Sequence, residues 1–417
     1  MIRFAYAAIP VIATFLVAAP IAWAFPDGLP VWRSVGIVLG WAGMGCLIAS
    51  LVLMLREPKL AGALGGLERM YRWHHGLGLT AYIVLLLHPL AFAVDAWNEA
   101  PRLAWQTLSP ADQSWPIWIG WISLLSLMIG MAASFSVGLP YRRWRLLHGM
   151  LGLGVVLGLV HLILLGLNAL VFTVVVAALI LLTWRTLRID LGLSALPYVV
   201  AKVDRIAAAT IEVGLRPLGR QVAVSPGQFI MVAFMNGPNY RGCGEYHPFT
   251  VSRVATHGEL EVGIKALGDD TTHMQSMEPG VAARIQGPFG TFLAARPQTP
   301  ALWIAGGIGV TPFVAALRAS APSRPTTLIY LFRNEGDAAY LDELRSIAAT
   351  TTLLTLIEHA TGDVVADMNQ VLPASIDAEV HHCYLCGPPG LIAAALPALH
   401  RLGFAPDHIH YERFDFR

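Results

Sequence analysis

Four histidines stand inside long apolar runs of this chain: His74 and His88 in one, His148 and His161 in another. A titratable ring in hydrocarbon is costly, so each is a functional candidate. Neutral imidazole is a good iron ligand, and rings from two facing helices can hold one metal between them. Fourteen residues separate His74 from His88, a rise of ~21 Å and close to four turns, so both rings leave the helix on nearly one side. Thirteen separate His148 from His161, which falls ~140° short of four turns, so that helix needs a tilt or local distortion to align its rings. Depth pairs His74 with His148 and His88 with His161. His75 competes with His74, but His74-x-x-Leu77-Gly78 repeats as His148-x-x-Leu151-Gly152 and favours His74. Two bis-histidine levels on two helices fit two stacked haems better than four unrelated core histidines. Glycines 76, 78, 149, 152, 154 and 158 would let a flat macrocycle approach the backbone, or would serve close helix packing. Arg72, Arg142, Arg143 and Arg145 flank the inner level, as propionate partners or as orientation charges.

A second set of motifs lies after residue 200. His247-Pro248-Phe249-Thr250-Val251-Ser252 is followed by Lys265, Gly268-Asp269-Asp270-Thr271 and Gly287-Pro288-Phe289-Gly290. An apolar strand at Ala301–Ala305 runs into Gly306-Gly307-Ile308-Gly309-Val310-Thr311-Pro312. Glycines at a strand-to-helix turn let backbone N–H groups approach a phosphate. Strand Thr327–Phe332 ends at Arg333, which can meet a ribose phosphate, and strand Cys383–Leu385 ends at Cys386-Gly387-Pro388. Ligands of open α/β sheets bind outside the carboxyl ends of strands, so these three ends point to one site. Cys383-x-x-Cys386, preceded by His381 and His382, also has metal or redox spacing, but strand alternation puts the two thiols out of phase and no second ligand pair is evident.

The elements that carry these residues follow from composition. The chain has 417 residues, 55% hydrophobic and only 13% charged, well under the charge of a soluble protein. The deficit is confined to residues 1–184, where six apolar runs reach spanning length: about 4–25, 31–55, 74–97, 116–138, 147–166 and 168–184. Arg56, Lys59, Arg69 and Arg72, then Arg142, Arg143 and Arg145, then Arg185 and Arg188 lie on one side. The positive side is cytoplasmic, so the N-terminus and the whole C-terminal half are expected there, in a bacterial-type inner or plasma membrane. Residues 185–199 read as a linker. Residues 200–297 alternate short β-rich runs, such as Ala207–Val213 and Gln228–Ala233, with Gly/Pro turns, as an antiparallel β-barrel does. Residues 298–417 read as an α/β nucleotide-binding domain. The predicted fold is therefore a membrane α-helical bundle of six transmembrane helices, an antiparallel β-barrel and an α/β domain. A net charge of +1 with no basic stripe gives no reason to expect a nucleic-acid partner. Four cysteines do not make a secreted disulfide framework.

Taken in order, these motifs resemble the superfamily of ferric reductases and NADPH oxidases, whose cytoplasmic half is similar to ferredoxin–NADP reductase. The resemblance covers nearly the whole chain. It implies two haem b groups on His74, His88, His148 and His161. It implies FAD on His247, Pro248, Phe249, Thr250, Ser252, Lys265 and Thr271, with Ser252 toward phosphate. It implies NADPH (or NADH) on Gly306, Gly307, Gly309, Val310, Thr311, Pro312, Arg333, Gly387 and Pro388, with Arg333 favouring NADPH. Cys386-Gly387-Pro388 resembles the segment beside the nicotinamide, and Glu412-Arg413-Phe414 resembles the family's end, where an aromatic ring covers the flavin. This makes Cys386, Glu412 and Phe414 the catalytic candidates, with Phe416 competing for the flavin. The implied activity is transmembrane electron transfer to an external acceptor. The loop from 98 to 115 holds no chelating cluster, so ferric iron or another metal, dioxygen and a periplasmic redox partner all stay open as acceptors. Lipid surrounds the spans.

Overall fold

The computed structural model describes residues 25–136, 138–166, 169–293, 299–373 and 376–412, with scattered positions between 11 and 22. The chain divides into two units: residues 1–56, 63–65 and 69–191 form one, and 57–62, 66–68 and 192–417 the other.

The first unit is helical. Its main helices are α1 (Val31–Leu53), α2 (Leu67–Trp97), α3 (Trp115–Phe135), α4 (Tyr141–His148), α5 (Met150–Leu165) and α6 (Ala169–Arg185). Five helical stretches among the described residues are long and apolar enough to cross a membrane, α4 and α5 jointly supplying the one at Arg143–Leu165. They correspond to the last five of the six predicted spans. The first, 4–25, falls largely outside the described residues. Helix α2 starts at Leu67 rather than 74, because residues 67–73 contain no Gly or Pro to stop it. On α2 the exposed Leu79, Ile83, Leu87, Leu90 and Val94 recur at helical spacing, the face that lipid would cover. The opposite faces pack through glycine. A Cβ at Gly43 of α1 would fall 2.3 Å from Leu85 Cγ of α2, and one at Gly130 of α3 would fall 2.5 Å from Leu151 Cγ of α5. Without a hydrophobic drive between helices in lipid, such close approach carries the association.

The second unit begins with β1 (Leu196–Ala207), β2 (Thr210–Pro217), β3 (Phe229–Phe234), β4 (Tyr246–Val254), β5 (Leu260–Lys265) and β6 (Ala282–Phe289), a closed antiparallel barrel in the order β1-β2-β5-β4-β3-β6. The expected linker at 185–199 is shorter than its sequence suggests, since helical turns continue to Asp190 and β1 starts at Leu196. The run Ala207–Val213 is not one strand. A turn at Ala208–Ala209 divides β1 from β2, pairing Ala207 with Thr210; two alanines carry no turn signal, so the break was invisible in the residue types.

Five parallel strands follow: β7 (Ala301–Gly306), β8 (Thr326–Phe332), β9 (Leu354–Ala360), β10 (His382–Cys386) and β11 (Ile409–Glu412), in the order β11-β10-β7-β8-β9. Helices α7 (Thr311–Ala319), α8 (Leu341–Thr350) and α9 (Pro389–Arg401) connect them. The chain runs outward from β7 through β9, then returns to β10 on the other side. Neighbours β7 and β10 therefore flank a topological switch point, where open α/β sheets bind ligands.

Candidate functional site

Each of the four membrane histidines is tied at Nδ1. His74 Nδ1 lies 2.6 Å from Ser50 Oγ and 3.2 Å from Ser50 O. A carbonyl only accepts, so this nitrogen carries the proton. His148 Nδ1 lies 2.9 Å from Ser134 Oγ. That hydroxyl already donates to Gly130 O at 2.9 Å, so it accepts from His148. His88 Nδ1 donates to Gly36 O at 2.7 Å, and His161 Nδ1 to Pro116 O at 2.9 Å. Four Nδ1–H tautomers leave four Nε2 lone pairs free to bind metal, the arrangement that fixes ring orientation and raises ligand basicity. Sequence reasoning missed all four anchors; only contacts between helices reveal them.

At one level the rings also satisfy the spacing a metal demands. Two imidazole nitrogens each about 2 Å from one metal set their ring centres roughly 6 Å apart. The His74 and His148 ring centres are 6.4 Å apart, tilted 59°. His88 and His161 are electrostatic neighbours at the other level. Rings at the outer level pass over glycine: a Cβ at Gly40 would lie 2.9 Å from His88 Cε1, and one at Gly120 would lie 3.0 Å from His161 Cε1. At the inner level Trp144 stacks on His148, with ring centres 4.7 Å apart. Helix α4 ends at His148 and α5 starts at Met150, but Gly149 between them keeps right-handed helical dihedrals, φ −59° and ψ −22°. His75 is exposed and has no such anchor among the described residues. Of the glycines singled out, 76, 78 and 152 face open space, whereas Gly154 meets Leu127 and Gly158 meets Met44, so those two serve helix packing. Arg72, Arg143 and Arg145 are exposed, and nothing is described of the Arg142 side chain.

In the barrel, His247-Pro248-Phe249-Thr250 lies along β4, with Thr250 and Phe249 buried and His247 half-buried. Burial pushes the His247 ring below the ordinary histidine value, against the pull of Asp270. Ser252 does not face a phosphate. It is fully buried and donates to Glu212 Oε1 at 2.5 Å. Glu212 in turn pairs with Arg318 at 2.7 Å, which also holds Glu343 at 2.7 Å. Burial pushes Glu212 up, but the hydrogen bonds from Arg318 and Ser252 outweigh it and hold the carboxyl below its ordinary range. Strand alternation alone did not show that Ser252 points into this network. Thr271 accepts from the backbone N–H of Leu267 and Gly268 at 2.9 and 3.0 Å, so its hydroxyl closes the turn that opens the helical segment Asp269–His273.

At the switch point the glycines have steric work. A Cβ at Gly309 would fall 2.4 Å from Cys386 O, and one at Gly306 would fall 2.6 Å from Leu391 Cδ2. The loops after β7 and β10 therefore touch, and Gly387 lies between them. Lys265 reaches this end from β5, its Nζ 3.6 Å from where a Cβ on Gly307 would sit. Val310 and Pro312 are buried and Thr311 donates to Ile308 O at 2.6 Å, so these three shape the helix start and offer a ligand only their backbone. Pro388 caps α9. Arg333 is exposed beside Asp363 at 3.1 Å. Cys386 pairs in register with Glu412 across β10 and β11. Burial pushes the Cys386 thiol well up and the Glu412 carboxyl up to about 8. Glu412 Oε2 has no hydrogen-bond partner among the described residues, and its Oε1 lies 2.8 Å from where a Cβ on Gly290 would sit. Sequence reasoning missed Gly290 in this place. Phe414 and Phe416 lie outside the described residues.

Residues 39–159 match the family described as ferric reductase like transmembrane component, and residues 303–396 match the oxidoreductase NAD-binding domain. The electron transfer component of toluate 1,2-dioxygenase from Pseudomonas putida is 24% identical over 228 residues, 52% of this chain and 66% of that protein. The ferredoxin–NAD(P)+ reductase component of naphthalene 1,2-dioxygenase/salicylate 5-hydroxylase systems from Ralstonia sp is 28% identical over 211 residues, 47% of this chain and 62% of that protein. The chain thus spans less than two thirds of the length of these relatives. Among solved structures, the FAD/NAD-binding domain of a nitric oxide dioxygenase from Vibrio cholerae is 22% identical, covers 52% of this chain and 98% of its own, and has a TM-score of 0.46. The five apolar helices and the first match make this an integral membrane protein; with an oxidoreductase NAD-binding domain over residues 303–396, the chain is an oxidoreductase that joins a ferric reductase-like transmembrane domain to a nucleotide-binding module.

Proposed function

We propose that this protein moves electrons from cytoplasmic NAD(P)H through FAD and two haem b groups, on His74–His148 and His88–His161, to an acceptor across the membrane. Ferric iron or another metal is the favoured acceptor. The observation that carries the reading is the set of four Nδ1 anchors, which leaves four free Nε2 atoms at two levels. Bound flavin would split a two-electron hydride donor into single electrons, and bound haem iron would relay them one at a time.

The protein's own residues supply position and protons. The backbone around Gly306–Gly309 and the Lys265 ammonium would hold the dinucleotide phosphates. Cys386 and Glu412, both kept neutral by burial, would stand beside the nicotinamide without adding charge, and Glu412 would hold its proton on a carboxyl oxygen. His247 and Thr250 would orient the flavin along β4. Ser50, Ser134 and the carbonyls of Gly36 and Pro116 keep each ring in the ligating tautomer.

The test is anaerobic. NADPH or NADH is added to purified full-length protein while flavin bleaching and haem reduction are followed, and ferric chelate or dioxygen is then admitted. Rapid reoxidation by ferric chelate with ferrous iron formed supports metal reduction. Reoxidation by dioxygen alone, with superoxide, assigns an oxidase instead, and reduced haem that neither reoxidises points to a periplasmic protein acceptor. Protein that contains no haem would overturn the reading altogether.

A further inference from the structure

Outside the helical unit, three donors of different chemistry converge: the Cys243 thiol, the His247 imidazole and the Asp270 carboxylate. One donor atom from each lies within 4.8 Å of the other two. His247 Nε2 is 3.8 Å from Cys243 Sγ and 3.5 Å from Asp270 Oδ2. The fold makes this meeting: Cys243 precedes β4, His247 lies on it, and Asp270 sits in the helical turn after β5, the strand paired with β4. A charge-assisted hydrogen bond would close to about 2.8 Å, so 3.5 Å is long for one. A tetrahedral ion with bonds of about 2.0–2.1 Å to nitrogen and oxygen and about 2.3 Å to sulfur sets its donors roughly 3.3–3.6 Å apart. His247 Nε2 stands within a few tenths of an ångström of that spacing from each of its two partners, the Cys243 and Asp270 donors lie within 4.8 Å of each other, and all three side chains are half-buried.

We propose that Cys243, His247 and Asp270 form a three-donor site for a zinc-class divalent cation, and that a cation held there excludes the flavin. The exclusion rests on the flavin reading of His247-Pro248-Phe249-Thr250, since one imidazole cannot serve both ligands; the site itself does not. Thiolate, imidazole and carboxylate together select Zn²⁺ or Co²⁺ over Mg²⁺ and Ca²⁺, which take oxygen donors. The fourth position stays open to water. On binding, the Cys243 thiol proton leaves to solvent and the sulfur lone pair forms the metal bond. Flavin loading of the reductase would then fall as the free cation rises in the compartment that bathes the barrel.

The experiment uses full-length protein, flavin-loaded and flavin-depleted, titrated with Co²⁺ and then with Zn²⁺ as competitor. Cobalt-edge absorption reads a Co–S distance of about 2.3 Å free of haem and flavin colour. The expected result is one Co²⁺ per flavin-depleted chain with a sulfur ligand, displaced by Zn²⁺, and at least about tenfold weaker binding to the loaded form. Cys243→Ala should lose the sulfur signal and at least about tenfold in affinity, yet still take FAD and oxidise NAD(P)H. Cobalt without a sulfur neighbour, or equal binding by Cys243→Ala, overturns the site. Equal binding by loaded and depleted protein overturns the exclusion. His247→Ala separates that failure from failure of the flavin reading: if it binds FAD as tightly as the parent, His247 is not a flavin ligand, whatever the cobalt shows.

Discussion

At one level of the helical unit the rings of His74 and His148 hydrogen-bond to serine hydroxyls, whereas at the other His88 and His161 hydrogen-bond to main-chain carbonyls. The difference shows two ways a sequence can control a ring. A hydroxyl belongs to one side chain, so His148 is controlled by residue identity at 134, whereas His74 has the Ser50 carbonyl beside the Ser50 hydroxyl. A carbonyl is present whatever the residue, so control at the outer level is steric. His88 bonds the carbonyl of Gly36 and lies against Gly40; His161 bonds the carbonyl of Pro116 and lies against Gly120. At this level each ring that reaches the carbonyl of residue i passes over a glycine at i+4 of the same helix, where a Cβ would fall about 3 Å from the ring.

The largest effect expected is from removing an outer ring. His88→Ala or His161→Ala should cut haem per chain by about half and stop acceptor reduction, while NAD(P)H still bleaches the flavin; haem content at the parental value would break the pairing. Next come the steric positions. Gly120→Val or Gly40→Val should reproduce that loss, because the new Cβ would lie about 3 Å from the ring. Gly76→Ala, which meets no atom within 4 Å, should keep both haems and gain up to about 1 kcal/mol of helix stability. An outer haem that survives Gly120→Val would show that glycine is not the control.

The inner level offers a finer contrast. Ser134→Ala removes the described acceptor for His148 Nδ1 and should weaken retention of one haem by about 10- to 100-fold, shifting one of two midpoint potentials in a redox titration. Ser50→Ala should do less, because Ser50 O remains 3.2 Å from His74 Nδ1. Equal effects would mean the hydroxyl, not the carbonyl, holds His74.

In the other unit, Glu412 is a buried group with an unanchored oxygen, and its effect is on stability. Its carboxyl is raised from 4.5 to about 8 by burial. Between those values the folded state keeps a proton the unfolded state has lost, so this group makes stability fall as pH rises through the window, and level off above about 8. The loss is on the order of a few kcal/mol. Glu412→Gln should remove it, so its thermal midpoint should gain on the parent steadily from pH 5 to 8. Parallel curves would mean the carboxyl ionises normally in the fold.

Some of this was written in the residues alone. Apolar run length set five spans to within a few residues except at the start of α2, and the pairing of His74 with His148 followed from depth along two helices. The glycine-rich turn after β7 and the segment after β10 announced two strand ends that meet, because each motif is local and its spacing translates directly into position. The residues that complete these sites come from elsewhere in the chain. Ser50 is 24 positions from His74, Gly36 is 52 from His88 and Pro116 is 45 from His161, and none carries a mark that distinguishes it from other helix residues. Ser252 looked available and is buried against Glu212; Cys386 and Glu412 meet only because β10 and β11 pair in one register. Periodicity and motif spacing are properties of neighbours along the chain, so sequence settles them; which carbonyl a ring reaches, and which side chain is left no room, depend on how helices and strands approach one another, and only the folded structure decides that.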